Sequence, residues 1–210
     1  ICFINLNQLM DLSENYIKYC IQKVFDSNLD DLEFMNLKFN KSGNLDDLKN
    51  ILNSRFKRIT YTEAIDFLKE NFKDNIVEWG DDLSSEQEKF ITKNMGPTIV
   101  YNYPSKIKSF YMKKNTDNKT VQAMDVLVPG IGELIGGSIR EDNYEKLIES
   151  INDKNIDASS LNWYLELREF STTPHGGFGL GFERLIMLIT GLTNIKDCIP
   201  FPRSNGNCLL

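Results

Sequence analysis

"HGGFGLGFERLIML", residues 175–188, places glycines at 177, 179 and 181, alternating like the residues of a strand, and then runs into an arginine and an apolar stretch. Glycine inside a strand is less favourable than alanine by roughly 0.5–1 kcal/mol. Three of them within five residues cost a few kcal/mol, a large fraction of the ~5–15 kcal/mol that holds a typical domain together. On a strand the three would share one face. That face is bare backbone, a shelf that a planar ring can approach closely. The alternative is structural: the glycines let a neighbouring helix pack close.

Two familiar nucleotide motifs do not fit. A dinucleotide fingerprint needs G-x-G-x-x-G, but the sixth position from Gly177 is Phe182, and the third position from Gly176 is Phe178. A phosphate loop needs Gly-Lys-Ser/Thr at its end, which the sequence lacks. What remains is G-x-G-x-G-x-E-R. Glu183 suits the first turn of a helix, whereas Arg184 opposes the helix dipole by a few tenths of a kcal/mol. Arg184 is reasonable there if it covers an aromatic ring or meets phosphate.

Working outward, apolar residues at 6, 9, 10, 12, 16, 17, 20, 21, 24 and 25 predict a long amphipathic helix. Residues 28–56 are polar and acidic, and read as an exposed, insertion-like excursion with short helices. "YTEAIDFLKENF" predicts a helix with Thr62 as a plausible N-cap. Ser84 or Ser85 before Glu86 and Glu88 marks another helix start. "TIVYNYP", "SFYMKK", "TVQAMDVLV" and "GELIGGSIR" read as strands, the last two joined by Pro129-Gly130. "EDNYEKLIESIN", "SLNWYLELREF" and residues 182–190 read as helices. Strands cluster between 98 and 140 without β-α-β alternation. The expected class is therefore α+β, an antiparallel β-sheet flanked by helices.

Composition narrows the functional classes. The 210 residues are 41% hydrophobic and 26% charged, enough for one globular domain with a sizeable core. The longest apolar run is far short of the ~20 residues of a membrane helix, so no membrane association is expected. The net charge of −6 argues against a surface that grips nucleic acid everywhere. Lys106, Lys108, Lys113, Lys114 and Lys119, with Phe110 and Tyr111 among them, form either a solvated hairpin or a local phosphate-contacting edge. The four cysteines have no C-x-x-C spacing and His175 is the only histidine. Zinc-finger and Cys/His-nucleophile readings are weak on that count, and a reduced, intracellular setting fits.

Asp125 sits inside the apolar run Met124-Val126-Leu127-Val128, and Glu133 follows the Pro-Gly turn. A carboxylate in such a strand is costly to bury unless it is paired or bound to metal. A two-residue turn would pair 126 with 133. A three-residue loop centred on Pro129 would pair 125 with 133 on one face, and Pro-Gly favours this longer loop. Two carboxylates on one face make a hard oxygen site for Mg²⁺ carrying phosphates. The alternative is an ion pair with Arg140 or a lysine. Arg140 itself lies seven residues beyond Glu133, past Gly136 and Gly137. Its planar guanidinium can fork onto a carboxylate or donate to an amide oxygen, or it simply begins the acidic helix that follows.

"GFGLGFER" resembles motif 3 of the class II aminoacyl-tRNA synthetases. The run from Tyr164 to Asn207, with "ITYTEAI", "WGDDLSSEQEKFIT", "TIVYNYPSKIKSFYM" and "AMDVLVPGIGELIGGSIRE", is similar to the C-terminal end of the asparaginyl branch of that family, within the aspartyl/asparaginyl/lysyl subclass. The resemblance implies that chain 1–210 is the C-terminal part of a class II catalytic domain. The anticodon-binding domain, motif 1 and most of motif 2 lie outside it. It implies ATP-dependent ligation of asparagine to tRNA(Asn) through an asparaginyl-adenylate, by a homodimer, with this piece inactive alone. By the same resemblance Arg184 lies on adenine and reaches the γ-phosphate, and Gly177, Gly179 and Gly181 floor the ATP pocket. Asp125 and Glu133 hold the catalytic Mg²⁺, Glu133 also lying at the ATP. Arg140, with Gly137, meets the substrate side chain. An aspartyl enzyme stays open as an alternative, although its step between the two acids is usually one residue shorter. So do an asparagine synthetase on the same fold and a non-catalytic paralogue. The compartment is expected to be the cytoplasm or an organelle of a eukaryote with an AT-rich genome.

Overall fold

The computed structural model describes residues 1–39, 44–72, 77–170 and 172–208. Helix α1 (Leu6–Ser27) begins with a reciprocal cap: the Asn5 side chain accepts from the Gln8 N–H, and Gln8 returns the bond to the Asn5 N–H. The 3.6-residue spacing of Leu9, Met10, Ile17 and Ile21 turns one stripe inward, and all four are buried. Helices α2 (Leu29–Phe39) and α3 (Asn44–Asn53) follow. The expected short helices are there, but the segment is more than an exposed excursion. Leu32, Leu48, Ile51 and Phe56 are buried, the last three in the same core as α1. Residues 40–43 of that segment lie outside the described residues.

Strand β1 (Lys57–Thr60) leads directly into α4 (Tyr61–Asn71). The N-cap is Thr60, not the expected Thr62. Thr60 Oγ1 accepts from the Glu63 N–H, and Glu63 Oε2 accepts from the Thr60 N–H at 2.6 Å. Thr-x-x-Glu at 60–63 is the pattern that makes this cap. Thr62 instead accepts from the Trp79 indole N–H. Helix α5 (Ser85–Met95) is capped by Ser84 with Gln87, as the serine pair suggested.

The remaining strands are β2 (Thr98–Pro104), β3 (Thr120–Val128), β4 (Gly132–Ile139) and β5 (Gly176–Leu180). The five lie in sequence order in one sheet. The sheet is antiparallel except that β1 runs parallel to β2, so it is mixed rather than purely antiparallel. Residues 1–3 run along 174–176 beside β5, with the Phe3 N–H donating to Pro174 and Gly176 donating to Ile1. Residues 109–114 are not the expected strand. They make single bridges, Met112 to Arg140 and Lys114 to Val121, and so span the ends of two strands instead of extending along one.

Each face of the sheet carries a core. One unites Ile99, Met124, Val126, Ile135 and Ile139 with α1, α3 and helix α8 (Phe182–Thr190). The other unites Val100, Tyr103, Val121, Ala123 and Leu127 with α4 and α5. A third, smaller cluster joins helix α6 (Tyr144–Asp153) and helix α7 (Asn162–Glu169) to Phe110 and Tyr111.

Candidate functional site

The β3–β4 connection positions the two acids. It is a three-residue loop, 129–131, with Val128 opposite Gly132 and Leu127 opposite Glu133. The register then shifts, so that Val126 faces Ile135 and Asp125 faces Gly136. The expected pairing of 125 with 133 is therefore absent, because a bulge inserts one residue on β4. The bulge restores what the pairing would have achieved. Glu133 shares a face with Leu127, hence with Asp125, and Gly136 lies on that face too. A Cβ added at Gly136 would stand 2.7 Å from Glu133 Oε1 and 3.5 Å from Asp125 Oδ1. The two carboxylates lean over a position that only glycine leaves free.

Both acids have cationic partners. Lys108 Nζ lies 2.6 Å from Asp125 Oδ2 and 3.9 Å from the centre of the Tyr103 ring. Arg184 donates to the Glu133 carbonyl and approaches Glu133 Oε2 at 3.5 Å. The lysine pairing weighed from the sequence is thus present, on Asp125, alongside the acid pair. Burial pushes the Asp125 carboxyl up, while Lys108 pulls it down and Glu133 pushes it up again. A third acid adjoins. Glu88, on α5, accepts the Glu133 N–H at 3.0 Å. Burial pushes Glu88 up to about 7; the bond from Glu133 opposes this, and the carboxylates of Glu133 and Asp125 add to it.

Two of the three glycines form the bare strand face that the alternation predicts; Gly181 lies past the end of β5. Gly179 pairs with Gly136 and Gly177 with Ser138, so both belong to the face that carries Asp125. A Cβ at Gly179 would meet nothing within 4 Å, and one at Gly177 would meet only an Arg140 nitrogen at 4.0 Å. Among the described residues no helix packs on them, which argues against the structural alternative. Gly181 caps α8, and Arg184 folds back against it, 3.3–3.4 Å from where a Cβ would be. Gly137 differs. Its missing side chain points to the opposite face, where a Cβ would lie 2.8 Å from Phe178 Cβ and 2.9 Å from Met124 Cε.

A cavity of about 310 Å³ opens beside the acid pair. Its lining includes Lys108, Tyr111, Asp125, Glu133, the backbone of Gly136 and Gly137, and Arg140. Arg140 donates to Ser138 Oγ at 3.0 Å and stacks 4.6 Å from the Tyr111 ring centre. No carboxylate lies within ion-pair distance of it among the described residues. It is a cation aimed at a cavity rather than the start of a charged helix. Arg184 does not line this cavity but a larger one of about 630 Å³, between loop 129–131 and residues 191–195.

Two residues were not singled out by sequence reasoning. Lys108 was one of five lysines in a basic run. The structure separates it, since Lys113 pairs with Asp142 and Lys114 with Asp153 and Glu149. Glu88 looked like an ordinary acid of a helix start. His175 supports the turn before β5, its Nδ1 2.8 Å from the Thr173 carbonyl. Arg168 is buried, holding the Glu141 carbonyl and the Tyr164 hydroxyl.

A sheet whose glycine-floored edge faces an acid pair and an arginine at a helix start is the framework of a known class. Residues 1–205 match the family model tRNA synthetases class II (D, K and N), and the chain belongs to that family. Within it the chain is similar to asparagine–tRNA ligases. It is 50% identical to that of Mycoplasma mycoides subsp. mycoides SC, over all of this chain and 48% of the relative. It is 47% identical to a probable mitochondrial asparagine–tRNA ligase of Dictyostelium discoideum, over 98% of this chain and 46% of that one. Among solved structures, asparaginyl-tRNA synthetase of Pyrococcus horikoshii complexed with asparaginyl-adenylate superposes with a TM-score of 0.87 at 38% identity. That match covers 97% of this chain and 45% of the other. The chain thus spans about half the length of the curated relatives it matches.

Proposed function

We propose that the protein carrying this chain joins asparagine to tRNA(Asn) through an asparaginyl-adenylate made from ATP, and that it works as a homodimer. The observation that carries this is one open sheet face on which the acid pair, the bare backbone of Gly177 and Gly179 and the guanidinium of Arg140 lie together, with Arg184 bonded to Glu133 at its border. The similarity to asparagine–tRNA ligases over the whole chain favours asparagine among the substrates of the family.

In this reading the purine lies on the backbone of Gly177 and Gly179, beside Gly181, with Arg184 covering it. An arginine on an aromatic face contributes about 0.5–2 kcal/mol. Arg140 donates to the side-chain carbonyl of asparagine. Lys108, on the same wall, adds positive charge where the amino acid's own carboxylate must approach. That carboxylate attacks the α-phosphorus, the bond to the bridging oxygen breaks, and pyrophosphate leaves. A ribose hydroxyl of the tRNA then attacks the acyl carbon and releases AMP. No side-chain nucleophile takes part, so catalysis is positioning and charge stabilisation.

The acid pair fits a magnesium ion. Two oxygen donors meet over a site without a Cβ. No set of three or more metal-binding side chains occurs among the described residues, so the remaining ligands would come from phosphate and water, as Mg²⁺ prefers. Asp125 and Glu133 would hold it. When bound, the ion neutralises phosphate charge and lets pyrophosphate depart. No helix among the described residues is long and apolar enough to cross a membrane. The similar proteins include bacterial and mitochondrial-type enzymes, in keeping with a place in the cytoplasm or an organelle.

The test is ATP–pyrophosphate exchange by the full-length protein. Asparagine should support exchange and aspartate should not. Exchange driven by aspartate, or amidation of free aspartate with ammonia, would overturn the assignment.

A further inference from the structure

Glu133 is held by its main chain from both sides. Its carbonyl accepts from Arg184 on α8, and its N–H donates to Glu88 Oε2 on α5. The second contact falls beside the bulge that decides where the Glu133 side chain points. Gly132, just before it, has φ +88°, and a Cβ there would stand 2.6 Å from the same Glu88 oxygen. Residues 132 and 133 and the Glu88 carboxylate are therefore fitted to one another.

A helix-start acid is ordinarily explained by the helix dipole. That accounts for the charge of Glu88 but not for its direction. Glu86, in the same turn of α5, is exposed. Glu88 instead turns toward two other carboxylates, whose repulsion opposes it. A hydrogen bond from the partly buried backbone N–H of Glu133, which would otherwise lose its partner, is a sufficient reason for the side chain to go there. What that bond secures follows from strand geometry. A one-residue slip in register reverses every side chain. At this point it would send Glu133 to the face where Leu134 and Ile135 are buried in the core.

We propose that Glu88 is a positioning residue: it pins the β4 bulge and so keeps the Glu133 carboxylate beside Asp125 on the open face. This rests on the reading of that face as the ATP and Mg²⁺ site. The carboxylate acts through the backbone of residue 133 and needs no contact with substrate. A partner that orients a metal-binding group typically changes affinity or activity by about 10- to 100-fold when removed.

The test compares E88A and E88Q in the full-length protein, with two readouts. The first is hydrogen–deuterium exchange of peptides spanning residues 129–137, without nucleotide. E88A should lose protection there, and E88Q, which keeps an acceptor oxygen, should retain it. The second is ATP–pyrophosphate exchange. E88A should raise the KM for ATP by about 10- to 100-fold and leave that for asparagine nearly unchanged, with E88Q close to wild type. If E88A does not fold, E88D, which withdraws the carboxylate by one methylene, takes its place and should show the same pattern. Unchanged protection in E88A, equal shifts in both KM values, or E88Q as damaged as E88A would each overturn the proposal. Failure of the wild-type protein to use asparagine would sink the functional reading instead, and the deuterium result would still decide the role of Glu88.

Discussion

The two faces of the sheet are built from the same strands and end in opposite ways. On one face, α1, α3 and α8 pack on the core side chains of β3 and β4, with Phe178 and Leu180 of β5 half-buried beside them, and glycine is needed so that things can touch. Gly137 admits Phe178 and Met124, and Gly176 admits Ile139. On the other face, α4 and α5 cover the β1–β3 side, and the cover stops before β5. There glycine is needed so that nothing of the chain's own touches, as at Gly179. Neighbouring glycines on β4 and β5 thus serve closeness on one side and vacancy on the other. The site lies where the helical cover ends.

The largest effect should come from removing the cation at the border of the open face. Arg184 touches both Glu133 and the shelf end at Gly181. Loss of one preorganised donor at a charged transition state costs about 100- to 1,000-fold. R184A should therefore lower the rate of ATP–pyrophosphate exchange by that order while the thermal midpoint moves little, since the guanidinium is partly exposed. A near-normal exchange rate would show that the open face is not where the nucleotide reacts.

A methyl group on each kind of glycine sharpens the contrast. G137A forces a Cβ into Phe178, Met124 and the Gly177 carbonyl, the last of which is backbone and cannot rotate away. Overpacking of this kind costs about 1–3 kcal/mol, to be read from the midpoint of denaturant unfolding. G179A meets nothing and has no positive φ. It should fold as well as the wild type or gain up to about 0.5–1 kcal/mol, yet raise the KM for ATP several-fold by roughening the shelf. Should G179A leave ATP binding unchanged, the shelf is not the purine's floor.

How far the sequence reveals this contrast follows from what each feature depends on. Alternating Gly177, Gly179 and Gly181 announce a bare face because a two-residue period fixes which side chains share it. They cannot say whether that face is empty, since only the position of the helices decides it, and Gly137 shows the other outcome one strand away. The acid pair was legible as a pair. Its register was not, because the bulge at Leu134 depends on how β4 meets both β3 and α5. Glu88 was hidden for the same reason: its partner is a backbone N–H 45 residues away. Strand β1 is only four residues long, too short for periodicity to mark. Residues 109–114 have a strand's composition but divide their bonds between β3 and β4.

The smallest effect concerns the covered part of the open face, where α4 begins. Two threonines two residues apart do different work there. Thr60 caps the helix and exchanges bonds with Glu63, whereas Thr62 only accepts from the half-exposed Trp79. T60A should cost about 0.5–2 kcal/mol and T62A less, with ATP–pyrophosphate exchange intact in both because neither touches the cavity. The pH dependence separates them further. The backbone N–H and hydroxyl of Thr60 hold the Glu63 carboxyl below its ordinary value. A group whose folded pKa is depressed stabilises the fold above its unfolded pKa, and that contribution fades as pH falls through the folded one. The stability lost in T60A should therefore be largest near neutral pH and shrink in acid below the ordinary carboxylate range, whereas the small loss in T62A should not change with pH. Equal losses at neutral and acid pH in T60A would mean that the cap works through the Thr60 hydroxyl accepting the Glu63 N–H and not through the Glu63 carboxylate.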